Sequence, residues 1–223
     1  MRAVPDVVTS ESATLDRERF KSLWARCRTD HGTEGADAAF DVLYRYYSER
    51  CRHYHTPDHI EHCLRQFDAA ADLMDEPDAV EMALWFHDAI YEIEADDNEA
   101  RSAGLFEELA GGTMPGAFKR RVRELIMVTT HQGAPASRDE GFIVDIDLSS
   151  FGLPWDEFLR DSAAVRAEFG DIDDATFYPR QLDFMKRLLD RPGFCFTEFF
   201  RDRHGARAHR NIRRTIEAME DLD

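Results

Sequence analysis

Apolar positions recur every three to four residues along most of the chain, the spacing of helices that bury one face. Over 15–27, Leu15, Phe20, Leu23, Trp24 and Cys27 fall on one stripe, and Ala39, Val42, Leu43, Tyr46 and Tyr47 repeat it over 36–50. Thr56 and Pro57 suit an N-cap and a first helical residue. A helix from there toward about 74 carries His59, Ile60, Cys63, Leu64 and Phe67 on one side. The segment 78–91, DAVEMALWFHDAIY, is apolar almost all round, which predicts a central helix. Helices follow over 98–110, 117–131 and 138–152, the first closed by Gly111-Gly112 and the last by Gly152, with a loop at 132–137. Further helices fit 154–169, 174–190 and 205–222, while 191–200 reads as short or irregular. No alternating strand pattern runs beyond a few residues; FIVDIDL, with its β-branched residues, is the one stretch that could suit a strand. The expectation is an all-α protein with a flexible N-terminus over 1–12 and a single helical domain over 13–223.

Composition narrows the class. Hydrophobic residues make up 43% and charged residues 33%, which describes a globular chain rather than a disordered one. No apolar run is long enough to cross a bilayer, and the start has no apolar signal-peptide core. Four scattered cysteines without CxxC pairing fit a reduced, cytoplasmic protein. A formal charge of −17 argues against nucleic acid and against anionic membrane as partners. A small phosphorylated substrate remains compatible, because a metal can reverse the field inside a pocket.

Candidate chemistry gathers at two places. YHTPDHIEH, 54–62, holds His55, His59 and His62, with His53 just before it. His87 and Asp88 interrupt the apolar run of ALWFHDAIYE, where two ionisable groups are costly unless paired or metal-bound. Asp147 sits in a similar apolar setting, and His59 lies on the buried side of its helix. Together His59, His87, Asp88 and Asp147 form a mixed imidazole and carboxylate set. It suits one divalent ion among Mn, Fe, Co, Ni, Zn or Mg, with positions left for water. For His31, His53, His62, His204 and His209 the plainer reading is an ordinary hydrogen-bonded histidine.

These residues in order resemble the HD superfamily of metal-dependent phosphohydrolases. RHYHTPDHI, ALWFHDAIYE, DNEARSA, VTTH and DIDLSSFG, with the later ARAHRNIRR, are similar to a small bacterial branch described as predicted phosphohydrolases. The resemblance implies an HD-domain, phosphodiesterase-like helical bundle that binds metal through His59, His87, Asp88 and Asp147. It implies hydrolysis of a small phosphate ester, plausibly a nucleotide. Cyclic-nucleotide phosphodiesterases, distant relatives on that fold, carry Tyr-His-Asn with a ligand His four residues on. By that match His55 is the candidate general acid and His59 the ligand. Their last ligand lies in Ala-Asp-Leu-Ser, which favours Asp147 over Asp145; residues two apart on a helix point roughly 200° away from each other. Asp145 is then expected to pair with an Arg or cap a helix.

Several roles stay open. Glu92, four residues after Asp88, is the candidate proton acceptor, with Asp96, Asp97 and Glu99 nearby. Arg52 is a candidate phosphate contact or a partner of Asp145 or Asp147. His131 is a further ligand, a phosphate contact or a helix cap. The alternatives to an enzyme of this kind are a non-catalytic metal or nucleotide sensor and a di-iron oxygenase, the second disfavoured by the scarcity of extra histidines.

Overall fold

The computed structural model describes residues 15–191 and 194–220, and every regular element among them is helical. The expected flexible segment over 1–12 and its boundary lie outside the described residues. The α-helices are α1 (Arg17–Cys27), α2 (Ala36–Tyr47), α3 (Pro57–Asp68), α4 (Pro77–Phe86), α5 (Asn98–Ala110), α6 (Gly116–Val128) and α7 (Arg138–Asp147). They continue with α8 (Trp155–Glu168), α9 (Asp174–Leu189), the single turn α10 (Glu198–Phe200) and α11 (Ala206–Glu220). Short 3-10 turns cover Ala71–Leu73 and Leu148–Gly152, and a π turn covers Arg201–Gly205.

Helix α4 is the axis of the molecule. Every residue from Ala79 to Phe86 is buried, and α1, α3, α5, α6 and α7 pack around it. Phe20 meets Trp85 edge-on, with ring centroids 5.1 Å apart, and Phe106 meets Phe86 at 5.2 Å. A buried helix end must find partners for its last carbonyls. The Tyr47 hydroxyl donates to Trp85 O, and the Arg52 guanidinium donates to Asp88 O and Ala89 O.

FIVDIDL is helical. Ser137 caps α7 by accepting from Glu140 N–H, and the Glu140 carboxylate accepts from Ala136 N–H. Its β-branched residues are then buried on several sides, where strand preference loses to packing. Three helix ends fall short of expectation: α4 stops at Phe86 rather than 91, α6 at Val128 rather than 131, and α3 at Asp68, not near Met74. The chain leaves the helix so that the Asp75 and Glu76 N–H groups reach the buried Asp139 carboxylate, which thereby caps the start of α4.

The C-terminal elements lock the turn after α7. Asn211 Nδ2 donates to Phe151 O and Leu153 O, and Arg207 donates to Gly152 O. Gly152 has no room for a side chain, since a Cβ would lie 2.6 Å from His204 Cβ. Cys27, Cys63 and Cys195 are buried, Cys51 is exposed, and all four are free thiols. No described helix is long and apolar enough to cross a membrane.

Candidate metal centre

Thr56 takes the extended backbone of an N-cap, and Pro57 opens α3, so His59 falls on the first turn, facing inward. Thr56 does not cap with its side chain; its hydroxyl turns back to Tyr54 O. His87 closes α4, and its Nδ1 lies 2.9 Å from Leu84 O. A carbonyl only accepts, so Nδ1 carries the proton and Nε2 turns an unshared pair into the cluster. Asp88 follows directly, and Asp147 ends α7.

These four side chains converge. His87 Nε2 lies 3.0 Å from Asp88 Oδ2 and 3.5 Å from Asp147 Oδ1. His59 Nε2 lies 3.4 Å from Asp88 Oδ2 and 3.5 Å from Asp147 Oδ1. The two imidazole Nε2 atoms face each other at 3.3 Å. Two buried carboxylates beside them call for positive charge. Burial works against ionisation of the acids, yet the imidazoles hold Asp88 and Asp147 well below the usual carboxylate range. Burial likewise works against protonated imidazoles, yet Cys63 and Tyr54, then Asp147 and Asp88, hold His59 well above its usual range, and Asp88 and Asp147 do the same for His87. The donor chemistry of the cluster suits a divalent cation.

The Cys63 thiol joins the set. It lies one turn after His59, with Sγ 3.7 Å from His59 Nε2. Donor atoms of His59, Cys63, His87 and Asp147 all lie within 4.8 Å of one another. In the sequence, Cys63 falls on the apolar face of its helix. The available signal was its four-residue spacing from a buried histidine.

Around the donors stand the remaining candidates. His131 Nε2 lies 2.9 Å from Asp147 Oδ2, so this ring meets the site through Asp147. Its backbone is left-handed, φ 56°, an uncommon state for a non-glycine residue, and Arg191 donates to its carbonyl. His131 Nδ1 is buried without a hydrogen-bond partner among the described residues. His55 stacks on Tyr91 with ring centroids 4.0 Å apart, and its Nε2 lies 3.9 Å from Asp88 Oδ2. Its Nδ1 is held at 2.7 Å by Glu168 Oε2. Glu168 Oε1 accepts from the backbone N–H groups of His53, Tyr54 and His55, each at 2.8 Å. This buried carboxylate thus fixes both the loop and the ring. Burial raises its proton affinity, but the bond to His55 outweighs that and holds it below the usual range. Nothing in the sequence marked Glu168, a lone acid at the end of an amphipathic helix.

Three expectations are corrected. Arg52 faces away from any substrate: its guanidinium donates to Asp88 O, Ala89 O and His55 O, pairs with Glu49, and is buried against Tyr47 and Tyr91. It pairs with neither Asp145 nor Asp147. Glu92 is exposed and bonded to Arg101 at 2.7 Å, outside the cluster. Asp145 pairs with no Arg among the described residues and anchors the entry to α10, whose own cap is Thr197: it accepts from Phe196 N–H, Thr197 N–H and the Thr197 hydroxyl. His62 bonds to Ser149 Oγ and stays outside the donor set.

A cavity of about 250 Å³ opens from Asp88 and Asp147. His55, Glu99, His131 and Asp161 line it with the rings of Tyr91, Phe151, Phe158, Phe169 and Phe184. Burial pushes the Glu99 and Asp161 carboxyls up from their usual range. The chain matches no protein-family model, no curated protein and no solved structure.

Proposed function

We propose that the protein is a metal-dependent phosphohydrolase of the HD type, acting on a small phosphate ester. The observation that carries this reading is the convergence of His59, His87, Asp88 and Asp147 from three separate helices at the floor of a cavity whose rim presents His55. A bound divalent cation would supply a more acidic water and polarise a phosphoryl oxygen. The four side chains would hold that cation, with the Cys63 thiol beside them. His131 fixes the second oxygen of Asp147. Glu168 keeps the His55 Nδ1 occupied, so that Nε2 faces the cavity and can protonate the leaving oxygen. Glu99, which lines the cavity as Glu92 does not, would take a proton from the attacking water.

The test is metal analysis of purified protein followed by turnover assays with Mn, Fe, Co, Ni, Zn or Mg against phosphomonoesters and diesters. His87→Ala and Asp88→Ala should lose both metal and turnover. His55→Ala should keep the metal and lose about 10²- to 10⁴-fold in rate. Full metal occupancy with no turnover across a broad panel would overturn the enzymatic reading and favour a non-catalytic sensor.

A further inference from the structure

The charge of the cavity constrains what can enter it. Its lining carboxylates are Asp88, Glu99, Asp147 and Asp161, beside the imidazoles of His55 and His131, and no Lys or Arg lines it among the described residues. Of the nearby arginines, Arg160 is exposed and does not line the cavity, and three others are committed elsewhere. Arg52 is tied to Asp88 O and Ala89 O, Arg166 to Asp174, Phe169 O and Ile172 O, and Arg191 donates to His131 O. Even with one divalent cation beside Asp88 and Asp147, Glu99 and Asp161 add further negative charge to the wall. Asp161 makes no side-chain hydrogen bond or ion pair within the described structure, although it is half-buried, and Glu99 bonds only its own backbone N–H. A polyphosphate or a dianionic body would meet repulsion there.

The walls have the complementary property. Rings run continuously outward from the donors: His131 lies 6.3 Å from Phe184, Phe184 6.4 Å from Phe151, and Phe151 5.8 Å from Phe158. Asp161 stands one turn beyond Phe158 on α8, whose end supplies Phe169. Aromatic faces around an unpaired carboxylate favour an organic cation.

We propose that the cavity selects a single-phosphate ester whose alcohol part carries an ammonium group, seated against Asp161 and the rings of Phe151, Phe158, Phe169 and Phe184. This rests on the phosphohydrolase reading. Hydrolysis of such an ester forms a P–O bond to the water oxygen and breaks the P–O bond to the amino alcohol. The departing oxygen keeps the electron pair and takes its proton from His55, the water proton passes to Glu99, and the products are inorganic phosphate and the amino alcohol.

A matched pair of probes tests the proposal: phosphocholine and 3,3-dimethylbutyl phosphate, which have the same shape and differ by the positive charge. Phosphoethanolamine distinguishes a primary from a quaternary ammonium. With metal-loaded protein, kcat/KM for a cationic ester should exceed that of the neutral isostere by about tenfold or more. Asp161→Asn should narrow that gap. Equal or better turnover of the neutral isostere, or a preference for nucleoside monophosphates over both, overturns the proposal. Calorimetric binding of tetramethylammonium, in wild type and in Asp161→Asn, reads the cation site without turnover. Binding that weakens in the variant, with no hydrolysis of any ester, supports the cation site and sinks the enzymatic reading. Hydrolysis without any ammonium binding or preference does the opposite.

Discussion

Replacing Glu168 tests how the mouth of the site is built. Its carboxylate accepts three backbone N–H bonds of 2.8 Å and one from His55 Nδ1 of 2.7 Å. Hydrogen bonds to a charged acceptor contribute about 1.5–3 kcal/mol each, and stranding the donors costs more where water cannot follow. His53 is exposed and Tyr54 half-buried, so solvent recovers part of the loss. Glu168→Ala should therefore cost about 3 kcal/mol, which for a domain of this size lowers Tm by roughly 6–12 °C. Urea titration should agree. Glu168→Gln keeps one acceptor oxygen for the loop and should cost about 1 kcal/mol. Its amide, however, presents a donor to His55 Nδ1, so a doubly protonated ring has no acceptor for its second proton. Turnover should then fall by about 10²- to 10⁴-fold with metal still bound. A Glu168→Ala protein that melts within about 2 °C of wild type, or a Glu168→Gln enzyme with the wild-type rate, would refute the reasoning.

Three further outcomes follow from the geometry. Asp145→Ala should destabilise the fold by about 2–4 kcal/mol through loss of the bonds to Phe196 and Thr197, yet keep the metal, whereas Asp147→Ala should lose it; metal analysis beside denaturation separates the two. Burial, with the positive neighbours of His62, lowers its pKa from 6.5 to about 3, so the unfolded chain takes up its proton first. This contribution is fully present above about pH 6.5 and is lost as pH falls toward 3, about 2 kcal/mol of it by pH 5; His62→Gln should flatten that limb of the stability curve by this amount. Despite burial, their neighbours hold the His59 and His87 pKa values high, so a divalent ion must displace their protons; binding should tighten with rising pH and release protons, read by calorimetry in buffers of different ionisation enthalpy.

Helix positions and most of the donor set were legible in the sequence because both follow from local pattern. An apolar run containing His87 and Asp88 has no cheap explanation without charge pairing, and Pro57 fixes where the helix carrying His59 begins. What escaped was set by chain segments far apart. Glu168 acts on residues 113 to 115 positions earlier, a relation no spacing rule contains. Arg52 beside a histidine cluster suggests phosphate, but the buried end of α4 needs donors for its carbonyls, and that need shows only once the helix is packed. Glu92 and Glu99 are equally acidic in the sequence. The path from Tyr91 to α5 decides between them, turning Glu92 out to Arg101 and Glu99 into the cavity.

The lock on the turn after α7 has a consequence for the order in which the protein is made. All four proposed donors leave the ribosome before residue 150, but Asn211, which holds the turn beside Asp147, follows about 60 residues later. A nascent chain therefore carries the donors before it carries the clamp that sets the last of them.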